Sequence, residues 1–194
     1  MAELSPRSPF QRSSHVCALV EDADDAAALI PLFARDGRQQ RQKLVALAGG
    51  AWLDALRRQL DGLEGFDSSA SEAAGHLQLV SWTQVYPPSL EGRKLTAALP
   101  SVEKLLSSAL DDQRYAGVRM LEQMDWPVSA AGGSQDVAEY EHGVDRLVRT
   151  YAQPTVCVYD LSRLSGQLLI DILTAHRFTL LRGALVESPF YEER

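Results

Sequence analysis

Cysteine, basic charge and long apolar runs are what this sequence has least of. Among its 194 residues there is no apolar run of about 18, the length a membrane-crossing helix needs. Lysine and arginine number 19 against 26 aspartates and glutamates, a net charge of -7. An acidic chain has no electrostatic drive to coat a phosphate backbone, so direct nucleic-acid binding is not expected. Two cysteines, Cys17 and Cys157, are too few for a disulfide framework and suit a reducing cytoplasm. Residues 1–14 lack the apolar core of a secretion signal; their serines and prolines read as a disordered tail ahead of one domain over 15–191.

Enzyme signatures are missing too. No Gly-x-x-x-x-Gly-Lys-Ser/Thr loop occurs: Lys43, Lys94 and Lys104 are each followed by leucine. The segment after the first apolar run, Glu21-Asp22-Ala23-Asp24-Asp25, carries four carboxylates. A triphosphate needs backbone N–H groups and a lysine there instead. Gly-x-Ser-x-Gly, His-Glu-x-x-His, Cys-x-x-Cys and Gly-x-Gly-x-x-Gly are likewise absent.

What is present alternates. Hydrophobic residues make up 45% of the chain and charged ones 23%, enough apolar material for a core. Strands are predicted at 15–20, 43–48, 77–82, 117–124 and 155–160, with short terminal ones at 178–181 and 184–186. Between them, helical spacing marks 24–35 (Ala26, Leu29, Ile30, Phe33), the region of Trp52, Leu53, Leu56 and Leu60, and the stripe Val102, Leu105, Leu106, Ala109, Leu110 behind Pro100. Two further helices carry Val137, Tyr140, Val144, Leu147 and Val148, capped by Ser134, and Leu168, Leu169, Ile172 and Leu173. Pro31 is expected to kink or divide the first helix, and Gly37 to stop it. Residues 65–75, 86–93 and 129–135 read as loops. This alternation predicts an α/β sandwich with a mostly parallel sheet flanked by helices. Ligands in such folds sit beyond the carboxyl ends of the strands, here 21–25, 49–52, 83–88, 125–126 and 159–162.

Six segments then occur in one order: HVCALVEDADD, GVRMLEQMDW, EYEHGVDRL, CVYDLSRLS, AHRF and ESPFYEER. Together they resemble the MEDS domain, a sensory module named for methanogens, methylotrophs and a dichloromethane-responsive regulator. The resemblance covers residues 14–191. It implies a RecA/KaiC-like sandwich without a P-loop, acting in signal transduction or transcription control and sensing small hydrocarbon-like molecules. The sequence departs from the family pattern in two places. His176 precedes arginine rather than proline, and the ending reads Ser188-Pro189-Phe190-Tyr191 in place of Asn-Pro-x-Tyr.

On this reading, the ligand-binding residues are Tyr86, Arg119, Asp125, Trp126, Glu141, Tyr159 and Asp160. Arg119 would pair with Asp125 or Glu141, Trp126 would wall a pocket, and Glu141 is carried over from the family's Tyr-Glu pair. Each has a structural alternative: a buried ion pair, a packed indole, a solvated helix residue, or, for Asp160, a turn cap. His15 and Cys17 share one face of a strand. With Cys157 or His176 they make a secondary, polar or metal-capable site; two N/S ligands fall short of a zinc site, so a buried thiol and a backbone-bonded histidine are favoured. No metal, cofactor or catalytic residue is expected. His76 and His142 read as surface residues. The expected partners are a small apolar ligand, a regulatory protein, and a second copy pairing through the terminal strands. The alternatives are a divergent nucleotide hydrolase or transferase, with Glu21, Asp22, Asp125 or Asp160 on Mg²⁺, and an interaction module with a filled pocket.

Overall fold

Alternating apolar and helical-period segments close into a two-faced sandwich. A computed structural model describes residues 14–86, 92–130 and 132–192. The expected tail and most of the proline-rich 86–93 segment lie outside the described residues. Seven strands form one sheet: β1 (His15–Val20), β2 (Gln42–Ala48), β3 (Leu77–Ser81), β4 (Gly117–Gln123), β5 (Thr155–Asp160), β6 (Phe178–Leu181) and β7 (Ala184–Glu187). Their order is β3-β2-β4-β5-β1-β6-β7. Every pairing is parallel except β6–β7. That hairpin turns through Arg182 and Gly183, both with positive φ, the geometry that a two-residue primed turn requires.

The helices are α1 (Ala23–Gln39), α2 (Gly50–Asp61), α3 (Ser68–Ala73), α4 (Trp82–Val85), α5 (Leu99–Leu110), α6 (Asp125–Ala130), α7 (Ser134–Tyr151) and α8 (Gly166–Ala175). Strand residues alternate between two cores because successive side chains point to opposite faces. Val16, Ala18, Leu121, Val156 and Val158 pack against Leu29, Ile30 and Phe33 of α1 and Leu53, Leu56 and Leu60 of α2. Cys17, Leu19, Val118, Met120, Cys157 and Tyr159 face the layer built from α5, α7 and α8. Each large apolar side chain removed from water contributes about 1.5–3 kcal/mol.

Several local expectations are corrected. α1 is one helix that carries Pro31 inside it and runs past Gly37. A Cβ on Gly37 would stand 2.4 Å from Leu44 Cδ2, so this glycine permits close packing of α1 on β2 rather than ending the helix. The polar 65–75 segment contains α3, capped by Asp67, whose side chain accepts from the Ala70 N–H at 2.8 Å. Trp82 opens α4 instead of closing β3. α6 occupies the start of the expected 129–135 loop. Gly133, not Ser134, is the N-cap of α7.

Candidate functional site

Two polar places stand out, separated by the alternation of the strands. The first is a crevice of about 280 Å³ at the carboxyl ends of β1, β4 and β5. Val20, Ala26, Trp52 and Val158 supply its apolar lining; Glu21, Asp22, Asp125 and Asp160 supply carboxylates. The turn leading into α1 closes on itself. The Asp25 carboxylate accepts from the Glu21 N–H at 3.0 Å, and Asp22 Oδ1 accepts from the Asp25 N–H at 3.0 Å. Amides that a phosphate would need are bonded to the chain's own acids. Burial raises the Asp125 carboxyl, opposed by Arg163 at 3.5 Å. Asp160 is held below the ordinary range by the Ser162 hydroxyl and caps the turn over Leu161–Arg163.

The second place is buried between the sheet and α7 and α8. His15 opens β1, Cys157 and Tyr159 come from β5, Glu141 and Asp145 from α7, and His176 ends α8. Glu141 and Asp145 lie one turn apart and so share a helix face. They bracket one imidazole: His15 Nε2 is 3.2 Å from Glu141 Oε2, and Nδ1 is 3.6 Å from Asp145 Oδ1. The Tyr159 hydroxyl donates a hydrogen bond to Glu141 Oε1. Cys157 Sγ lies 3.4 Å from His15 Nε2 and 3.5 Å from Glu141 Oε2. His176 Nε2 stands 3.5 Å from the same Oε2, and its Nδ1 meets the Ile172 carbonyl at 2.7 Å. The two imidazole centroids are 4.0 Å apart. Beyond them, the Tyr140 hydroxyl donates to Glu122 Oε2 at 2.9 Å.

The electrostatics follow from burial and proximity. Burial alone would lower His15, yet its bonds to Asp145 and Glu141 lift it to about 9. His176 falls to about 4, through burial and then repulsion from His15. Glu122 rises to about 7 through burial and the nearby Glu141 charge. Glu141 has a burial penalty too, but the two histidines and Tyr159 hold it below the ordinary range. Burial drives both thiols well up.

The predicted site residues divide between these places. Asp125 and Asp160 line the crevice; Glu141 and Tyr159 belong to the buried cluster, joined by His15, Cys157 and His176 from the secondary set. Cys17 lies beside Cys157 in the β1–β5 register. The pairing expected of Arg119 is corrected. It lies near the amino end of β4, with alternation turning it toward α1. There its guanidinium bonds Gln42 Oε1 at 2.8 Å and the Leu32 carbonyl, away from both Glu141 and Asp125. Burial lowers it to about 10. Tyr86 does not line the crevice; it packs in the α5–α7 core and donates to the Arg93 carbonyl at 2.8 Å. Trp126 lies in α6, and its side chain is outside the described residues. His142 is buried rather than at the surface, 3.3 Å from Thr174 Oγ1, because α7 packs closely on α8. His76 is half-buried, its ring 5.7 Å from Tyr115. Asp145, Glu122 and Tyr140 were not anticipated. The signals for Asp145 and Glu122 were the i,i+4 carboxylates on α7 and an acid inside a strand buried along its whole length.

The sheet order and helix layers define a RecA/KaiC-like α/β domain. Solved structures that share the fold include the flagellar accessory protein FlaH from Methanocaldococcus jannaschii and the KaiC-like protein PH0186 from Pyrococcus horikoshii OT3. The first matches with a TM-score of 0.60 at 10% identity, over 91% of this chain and 76% of that one. The second matches with a TM-score of 0.64 at 11% identity, over 88% and 72%. The chain belongs to the MEDS family, the methanogen/methylotroph, DcmR sensory domain, whose model matches residues 14–177. No curated protein matches the sequence. Among the described residues, no helix is long and apolar enough to cross a membrane.

Proposed function

We propose that this sensory domain is non-enzymatic, takes a small neutral or cationic molecule at the strand-end crevice, and reports to a regulatory protein. The supporting observation is the turn into α1. Its Glu21 and Asp25 amides are bonded to Asp25 and Asp22 carboxylates, and four acids line the crevice. An anionic nucleotide would lose those amides and face like charge. A crevice with an apolar lining and a few polar groups suits a small molecule. The test is an NMR titration of the ¹⁵N-labelled full chain with propylammonium, propionate or ATP with Mg²⁺. Propylammonium and propionate have similar size and opposite charge. Propylammonium is expected to shift the amides of Glu21, Gln123 and Ser162, with propionate and ATP leaving them in place. Shifts at these amides from propionate or ATP, or ATP turnover abolished by Asp160→Asn, would overturn the reading.

A further inference from the structure

Four side chains of metal-ligand chemistry converge in the buried cluster: His15, Glu141, Cys157 and His176, whose donor atoms all lie within 4.8 Å of one another. Two ligands were the objection to a metal in the sequence; the fold supplies four. We propose that His15 Nε2, Glu141 Oε2, Cys157 Sγ and His176 Nε2 form a closed, four-coordinate site for Zn²⁺.

The distances carry the first part of the argument. Tetrahedral zinc with bonds of about 2.0–2.3 Å has donor–donor edges of about 3.3–3.8 Å. Four of the six donor pairs, His15–Glu141, Cys157–His15, Cys157–Glu141 and His176–Glu141, stand at 3.2, 3.4, 3.5 and 3.5 Å, and the two remaining His176 pairs lie within 4.8 Å. The first four values fit such edges to within about 0.1 Å.

The surroundings carry the second part. Metal-bound histidines usually donate their other ring N–H to a carbonyl or carboxylate, which fixes the tautomer. Both histidines do so here. His15 Nδ1 faces the Ala175 carbonyl at 3.2 Å and Asp145 beyond it, and His176 Nδ1 faces the Ile172 carbonyl. These partners only accept, so each Nδ1 carries a proton, and Nε2 is the ring atom left to face the ion. Tyr159 occupies Glu141 Oε1 and leaves Oε2 for the ion. His176 Nε2 is buried without a hydrogen-bond partner. Hydrogen bonding alone leaves this atom unexplained, whereas coordination employs it.

Charge closes the argument. A thiolate, a carboxylate and two neutral imidazoles balance Zn²⁺ in a dry site. Cysteine and histidine bind zinc only in their deprotonated forms, so binding releases the Cys157 thiol proton to the buffer. All four positions are filled by protein, so the ion joins β1, β5, α7 and the end of α8 rather than activating a water. The proposal is independent of any crevice ligand.

The test uses the full chain, stripped with chelator and titrated with Zn²⁺ or Co²⁺ alone. One zinc per chain is expected. Cobalt is expected to give tetrahedral visible bands and a thiolate-to-metal charge-transfer band. Cys157→Ser should remove the charge-transfer band, and Cys17→Ser should keep it. His176→Asn should abolish stoichiometric uptake, and Tyr159→Phe should weaken it about 10–100-fold, as loss of an outer-shell partner does. X-ray absorption on the zinc-loaded native chain needs no variant and should show one sulfur and three nitrogen or oxygen ligands. Failure of the stripped chain to take up one zinc, even when refolded with it, would overturn the site, as would an all-nitrogen/oxygen shell. So would a charge-transfer band that survives Cys157→Ser.

Discussion

Removing one oxygen atom, in Tyr159→Phe, tests whether the buried cluster is assembled as described. Tyr159 is 1% exposed and Glu141 0%, so no water can replace the lost hydroxyl. A hydrogen bond to a charged group contributes about 1.5–3 kcal/mol, and a buried acceptor left bare costs a similar amount. The variant should therefore lose about 1.5–3 kcal/mol. For a chain of this size the melting midpoint falls about 2–4 °C per kcal/mol, giving about 3–12 °C. Tyr86→Phe is the internal comparison. Its hydroxyl bonds a neutral carbonyl in a part-buried setting, where about 0.5–1.5 kcal/mol is typical. Urea unfolding of the metal-free protein should show a lower midpoint with an unchanged slope. Glu141→Gln should couple to Tyr159→Phe, because residues in one network are not additive. A Tyr159→Phe loss no larger than that of Tyr86→Phe, with additive double variants, would refute the arrangement.

Three further outcomes follow from geometry elsewhere. Gly37→Ala gains about 1 kcal/mol of helix propensity but drives a Cβ into Leu44; overpacking costs about 1–3 kcal/mol, so urea unfolding should show a net loss, and a stabilised variant would count against the contact. Asp112 is held at about 2 by hydrogen bonds from Arg114. A depressed carboxyl contributes stability that is complete above its unfolded value and fades as pH falls through about 2. An NMR titration should find that low midpoint, and Arg114→Ala should return it toward the ordinary range; an unmoved midpoint would exclude Arg114 as the cause. Cys17 and Cys157 should react slowly with thiol reagents in the native metal-free chain, because burial disfavours the thiolate; rapid labelling of both would contradict their placement.

The sheet was legible because its strands are short β-branched or apolar runs bounded by polar residues, and all seven occur within one or two residues of where that pattern puts them. The short helices were not. α3 reads SSASEA, with no apolar stripe, so periodicity is silent and only the Asp67 cap signals it. Gly37 looked like a stop because a glycine near a helix end usually is one; here packing against Leu44 decides instead. Within the site, His15, Cys157 and His176 could be suspected as one polar group, but Cys17, which shares a strand face with His15, is not among the four donors. That Glu141 joins them depends on α7 docking against that face, which no local pattern encodes. Arg119 was misplaced for a related reason. Its strand was recognised, but the face it uses depends on which helices cover each side.

A buried carboxylate between two histidines is a weak way to stabilise a core, since well-packed apolar residues of similar volume often do better. Leu19, Val118, Met120, Val137 and Val144 belong to the apolar core on the same side of the sheet. Stability alone therefore does not account for placing His15, Glu141, Cys157 and His176 together. Coordination of a cation does, because it turns a penalised set of polar groups into a neutral, bonded one. The crevice follows from different residues of the same strands. Val158 and Asp160 of β5 line it, whereas Cys157 and Tyr159 alternate to the other face. The two places share β1 and β5 but no side chain, so a variant such as Asp160→Asn reads the crevice alone, and Cys157→Ser reads the cluster alone.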